Sequence, residues 1–184
     1  MRLEIRIGGF GGQGVIRTGL ILAAASCVYG DKNAIQTASY GPESRGGHCR
    51  SEVIISDEDI DFPKIEHPDI LIAMSQEAYL QYIDDLKKNG ILIVDPDMVH
   101  NQRKNLAVKI YEVPAARIAE RLGKRIVANA VMIGAFAAIT NLPNMKNLKE
   151  SIRHNVPEAF IKLNLTAFEK GYEYGKKTLK NEFS

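Results

Sequence analysis

The chain has 184 residues, a quarter of them charged with both signs interspersed, and a formal net charge of +2. That length suits one domain with a substantial core, and so even a charge balance predicts attraction neither to nucleic acid nor to a membrane surface. The only cysteines are Cys27 and Cys49, with no C-x-x-C, which excludes a thiolate-held iron–sulfur or zinc site built within this chain and suits a reducing cytoplasm.

In chain order, Leu3, Ile5 and Ile7 alternate with Glu4 and Arg6, so the N-terminus reads as a strand with one face toward a core rather than as a signal peptide. Gly8-Gly9-Phe10-Gly11-Gly12-Gln13-Gly14 follows at once. Residues 15–29 are rich in Val, Ile, Leu and Ala with Arg17 as their only charge, which predicts a largely buried helix. A glycine turn between strand and helix ends on unpaired N–H groups at the positive end of the helix dipole, a setting that favours an anion. Gly9, Gly11 and Gly14 fit the dinucleotide spacing G-x-G-x-x-G. A dinucleotide site also needs an acidic residue about twenty positions on, at the end of the second strand. Here that strand, residues 34–39, runs out through Thr37-Ala38-Ser39-Tyr40; Asp31 comes too early and Glu43 lies beyond. The fingerprint is therefore incomplete. NAD(P) binding is thus the least favoured reading of the glycines, and three others stay open: tight packing of helix on strand, a phosphate-bearing ligand, or a partner subunit meeting the loop.

Next comes Tyr40-Gly41-Pro42-Glu43-Ser44-Arg45-Gly46-Gly47-His48, dense in turn formers, and then a strand at residues 49–56 with Ser51, Val53 and Ile55 on one face. So short a loop lets the two strands pair as an antiparallel hairpin, which a pure Rossmann fold lacks at this point. Residues 69–74 form a continuous apolar strand of the kind found inside parallel sheets. Ser75 caps a helix expected to run to about residue 88, stopped by Asn89-Gly90. Residues 91–94 are a second buried strand and residues 107–113 a third, after which Pro114 opens a helix through residue 122 at the favoured first position. Two helices close the chain. One, at 127–140, is uncharged and Ala-rich, buried in the core or in a subunit contact. The other, at 158–177, carries Phe160, Leu163, Ala167, Phe168, Gly171, Tyr172 and Gly175 at three- and four-residue spacing. The longest uncharged run, residues 126–145, holds Asn129, Asn141, Pro143 and Asn144, which argues against a membrane span. The expected fold is a single three-layer Rossmann-like α/β domain over residues 1–184, with a mostly parallel sheet, one antiparallel hairpin and C-terminal helices.

Arg45, between Ser44 and Gly46-Gly47, is the second candidate. Its guanidinium and the neighbouring amides can meet a carboxylate or phosphate, and the alternative is an ordinary turn with a solvated arginine. His48 lacks a nucleophile at a telling spacing and reads as structural. Asp95 and Asp97 bracket Pro96 at a strand's carboxyl end, where a turn or helix cap is favoured over a metal site. Asn129 is either a satisfied buried amide or a group facing a partner. Walker, hydrolase, paired-histidine and Gly-Asp-Gly thiamine motifs are absent, and no catalytic constellation is visible.

Taken together, Gly9-Phe10-Gly11-Gly12-Gln13-Gly14 after the first strand and Tyr40-Gly41-Pro42-Glu43-Ser44-Arg45-Gly46-Gly47 resemble the gamma subunit of the 2-oxoacid:ferredoxin oxidoreductases. The similarity extends through the Asp-Ile-Leu-Ile-Ala-Met-Ser strand at residues 69–75 and the late Ala-rich helix. The second loop looks most like the 2-oxoglutarate branch, with the pyruvate, branched-chain and indolepyruvate branches as alternatives. The resemblance implies a subunit, inactive alone, of an enzyme that decarboxylates a 2-oxoacid oxidatively with coenzyme A and reduces ferredoxin. It implies thiamine diphosphate with Mg2+ on alpha and beta subunits, and iron–sulfur clusters on beta or a ferredoxin-like delta subunit. This chain would bind no cofactor alone. Gly9, Gly11, Gly12, Gln13, Gly14, Ser44, Arg45, Gly46 and Gly47 would form its working edge, meeting coenzyme A phosphates or a partner's acidic group. The rival classes are a free-standing nucleotide-binding α/β protein and a purely structural assembly subunit.

Overall fold

The structure, a computed structural model, describes residues 1–40 and 47–182. Six strands, β1 (Arg2–Phe10), β2 (Asn33–Tyr40), β3 (His48–Ser56), β4 (Ile70–Ala73), β5 (Ile91–Val94) and β6 (Lys109–Glu112), form one sheet in the order β2-β3-β1-β4-β5-β6. Strands β1, β4, β5 and β6 run parallel, while β3 is antiparallel to both of its neighbours. The expected hairpin is thus present, and it has a topological consequence. Strand β3 returns between β2 and β1, taking the place beside β1 that the second strand holds in a dinucleotide-binding sheet.

Periodicity explains the layers. Strands β4 and β5 are apolar at every position because both faces are covered. Ile70, Ile72 and Ile93 face one core with α1 (Val15–Cys27) and α4 (Ala128–Thr140). Leu71, Ala73, Leu92 and Val94 face a smaller one with Tyr79 and Tyr82 of α2 (Gln76–Tyr82). On β3, Val53 and Ile55 join the larger core, and Ser51 Oγ accepts a hydrogen bond from Gln36 Nε2 at 2.8 Å. The opposite face of β1 buries Arg6, which is neutralised by Glu52 (2.7 Å) and by Asp85 and also donates to the Ile65 carbonyl.

Helices α3 (Ala115–Arg121), α5 (Met145–Asn155) and α6 (Ile161–Glu182) complete the larger layer with α1 and α4. Helix α4 belongs to the core of this chain rather than to a subunit contact, since Asn129 through Ala137 are all buried and α6 lies across them. The crossing is close. A Cβ on Gly171 would overlap the Val131 carbonyl, and one on Gly134 the Phe168 carbonyl. The alanines and glycines that make α4 look featureless in sequence are what admit this approach.

Helix α5 is the element that sequence patterning missed. It buries only Leu148, Ser151 and Ile152, and its start is fixed by Asn144, whose side chain accepts from the Asn147 amide at 2.9 Å. Helix α2 stops at Tyr82, and a 3-10 turn ends at Asp85 rather than continuing to residue 88. Leu86 turns extended there and the Lys87 amide bonds to Pro68 O. Pro114 stands in the cap of α3, one position before the expected one. No described helix is long and apolar enough to cross a membrane.

Candidate functional site

The glycine loop joins β1 to α1 at the carboxyl end of the parallel strands. Gly14 caps α1 in the left-handed region (φ 77°), where a side chain would be strained and would also collide with Asn129. Several of the loop's amides are already used. Gly11 N–H donates to Gly47 O at 3.0 Å, and Gln13 N–H donates to Phe10 O at 3.1 Å. Phe10 N–H donates to the Gln13 side chain (Oε1, 2.6 Å), whose Nε2 donates in turn to Met74 O at 2.8 Å. Gln13 therefore laces the loop to the end of β4, across the crevice where an open α/β sheet would receive a dinucleotide. Among the described residues, the amides of Gly12 and Gly14 meet no acceptor, and the first turn of α1 leaves its own N–H groups free by geometry.

Those free donors open on a cleft of about 740 Å³ between α1, the ends of β2 and β3, the start of α4 and the start of α6. Arg17 is the sole charge among its described lining; Val15, Leu20, Tyr40, Ile126 and Phe160 are among its apolar members. Three of these apolar groups stand open to solvent, Leu20 at 43%, Ile126 at 63% and Tyr40 at 70%. An anion-friendly floor with apolar walls suits an amphipathic, phosphorylated ligand or a partner's surface. His48 lies tilted beside Phe10 (ring centroids 6.0 Å apart) and has no partner suited to catalysis among the described residues.

A smaller hollow of about 310 Å³ lies on the other side of Gly12, lined by Gln13, Met74, Asp95 and Arg125 among others. Asp95 is a cap, as the sequence favoured: its carboxylate accepts from Asp97 N–H (2.9 Å) and from Ala116 N–H (2.7 Å) at the start of α3. Burial pushes its carboxyl above the usual range, against the pull of those two amides. Asp97 is paired with Arg117, which holds its carboxyl below the usual range. Among the described residues no group of His, Cys, Asp and Glu is placed to hold a metal ion.

Residues 4–174 match the pyruvate ferredoxin/flavodoxin oxidoreductase family. The chain belongs to that family. It is 49% identical to 2-oxoglutarate synthase subunit KorC of Methanocaldococcus jannaschii, over 96% of this chain and 95% of that one. Its fold matches the keto/oxoacid ferredoxin oxidoreductase gamma subunit of Geobacter sulfurreducens (TM-score 0.87, 40% identity, 97% of this chain and 98% of that one). It matches equally well part of the 2-oxoglutarate:ferredoxin oxidoreductase of Magnetococcus marinus, solved with 2-oxoglutarate, coenzyme A and succinyl-CoA bound. There the TM-score is 0.87 and the identity 26%, over 96% of this chain but 31% of that one. The resemblance to a gamma subunit of the 2-oxoacid:ferredoxin oxidoreductases is borne out, and with it the place of this chain as one subunit of an oxidoreductase complex.

Within this pyruvate ferredoxin/flavodoxin oxidoreductase domain, the structure brings together Gly11, Gly12, Gly14 and Gly47 at the mouth of the larger cleft. Gly9 does not reach it. That residue is packed beneath the Gln13 side chain, where an added Cβ would come 2.5 Å from Oε1. Gln13 faces the smaller hollow instead. Ser44, Arg45 and Gly46 lie outside the described residues. Sequence motifs did not announce Arg17, Leu20, Ile126, Phe160 or Asn164 as cleft residues, because they come from three segments that only the fold assembles. The one available signal was Arg17, a single charge near the start of an otherwise apolar helix.

Proposed function

We propose that this chain serves a 2-oxoglutarate:ferredoxin oxidoreductase, in which 2-oxoglutarate and coenzyme A give succinyl-CoA and carbon dioxide while the electrons pass to ferredoxin. In this reading the chain is inactive alone and assembles in the cytoplasm with thiamine-binding alpha and beta subunits and a ferredoxin-like delta subunit. It forms one wall of the coenzyme A cleft. Thiamine diphosphate, Mg2+ and iron–sulfur clusters sit on the partners, for which this chain offers no thiolate pair.

The observation that carries the coenzyme A assignment is the hydrogen bond from Gly11 N–H to Gly47 O. It joins the two loops of the family motif at one point, beside free amide donors, Arg17 and an apolar cleft. A nucleotide phosphate matches the donors, and a long uncharged arm matches the walls. Free-standing dinucleotide binding is disfavoured, because β3 takes the place of the second Rossmann strand and Gln13 spans the crevice.

The test is anaerobic affinity purification of the tagged chain, with assay of 2-oxoacid-dependent reduction of ferredoxin or a viologen dye. Co-purification of a thiamine-binding pair with activity on 2-oxoglutarate supports the reading; activity confined to another 2-oxoacid corrects the branch. In the purified complex, Arg45→Ala should raise the KM for coenzyme A by roughly ten- to a hundred-fold, the loss expected for one charge-assisted contact. An unchanged KM would remove coenzyme A from this edge and leave the exposed Leu20, Tyr40 and Ile126 as a purely assembling surface.

A further inference from the structure

Asn129 is the second residue of α4 and only 4% exposed. Its side chain lies against Gly14 at the start of α1, and a Cβ built on Gly14 would come 2.7 Å from Nδ2. Among the described residues nothing hydrogen-bonds that carboxamide, yet neither of its polar atoms is sealed off, since no fully buried side-chain atom lacks a partner. It opens into the larger cleft. An amide this deeply placed is normally paired, so its partner is to be sought in the cleft.

The surroundings indicate what that partner is. Helices α1 and α4 both begin here, each without a side-chain cap and without an acidic residue in its first turn. The positive dipole end of α1 therefore lies where Gly14 meets Asn129, while α4 continues a 3-10 turn (Arg125–Val127) in which Val127 N–H already donates to Lys124 O and Ala128 N–H to Arg125 O. The amides of Gly12 and Gly14, without an acceptor among the described residues, lie at the same place, and Arg17 is the one charge in the described lining.

We propose that this point is a phosphoryl-binding site in which Asn129 Nδ2 donates to a phosphate oxygen, beside the amides of Gly12, Gly14 and the first turn of α1. Arg17 offsets the charge from the cleft wall. The inference rests on the coenzyme A reading and deepens it. The ligand's phosphate end sits at Asn129, and its neutral parts lie along Leu20, Ile126 and Phe160.

The experiment uses the assembled complex with Asn129→Leu and Asn129→Asp, measuring KM for coenzyme A and for phosphate-free pantetheine, with adenosine 3′,5′-bisphosphate as a calorimetric probe. Asn129→Leu should weaken coenzyme A and the bisphosphate by about tenfold, the loss of one hydrogen bond to a charged group. Asn129→Asp should weaken both further, because a carboxylate faces the phosphate, and pantetheine should respond to neither change. Since the carboxamide pairs with no described residue, Asn129→Leu should melt at the wild-type temperature, so it carries the test if the aspartate variant fails to assemble. Unchanged coenzyme A binding in Asn129→Leu, or equal losses for pantetheine, overturns the phosphate assignment. If Arg45→Ala raises the KM for coenzyme A and Asn129→Leu does not, the coenzyme A reading stands and this site falls. If neither variant moves it, both fall.

Discussion

Replacing Gln13 with methionine isolates the contribution of the lacing between the glycine loop and β4. Methionine keeps the length of the side chain and its packing over Gly9, but it can neither accept from Phe10 N–H nor donate to Met74 O, bonds of 2.6 and 2.8 Å. Each net hydrogen bond is worth about 1 kcal/mol, and a buried group left unpaired costs about 1–3 kcal/mol. The Gln13 side chain is half-buried at the edge of a hollow of about 310 Å³, so water can reach part of it and the lower end applies. The expected loss is about 2 kcal/mol. With a urea m-value of about 2 kcal/mol/M, the unfolding midpoint should fall by about 1 M. Hydrogen exchange should show where the loss arises, since the Phe10 amide loses its acceptor while amides in the middle of β1 keep theirs. A midpoint within about 0.2 M of wild type, or a Phe10 amide still protected, would refute the claim that Gln13 holds the loop closed.

Two further outcomes are expected. Gly171→Ala should destabilise the fold by about 3 kcal/mol or more, because its Cβ overlaps the Val131 carbonyl and forces α4 from α6. Gly12→Ala meets no atom of the described residues within 4 Å and should lose only the roughly 1–2 kcal/mol of left-handed backbone strain; thermal denaturation of the pair separates the two causes. For Asp95, burial raises the folded carboxyl above its unfolded value of 3.8. Here the folded state holds the proton more tightly, so the contribution of Asp95 is largest below pH 3.8 and declines as pH rises through the raised value. Stability measured against Asp95→Asn between pH 4 and 8 should therefore move in favour of the asparagine form as pH rises, and a constant difference would contradict it.

Period and punctuation in the sequence determined most of the elements. Alternation at Leu3, Ile5 and Ile7 marks β1, the unbroken apolar runs at 70–73 and 91–94 mark the central strands, and the short loop after Tyr40 marks the hairpin. These are local signals, set by how far one residue's side chain projects from the next. Helix α5 was not legible because three buried side chains and one capping asparagine make too weak a pattern against a polar background. The motif glycines were visible as a group, but which of their amides are free was not. That depends on Gly47 and on the reach of Gln13 to Met74, a contact across 61 positions of chain. Nor does any run of sequence place Arg17, Ile126 and Phe160 on one cleft, or set Asn129 against Gly14. Those neighbours are fixed by α4 packing beside α1 and α6 crossing α4, a packing decided by small residues at that crossing and by β3 returning between β2 and β1.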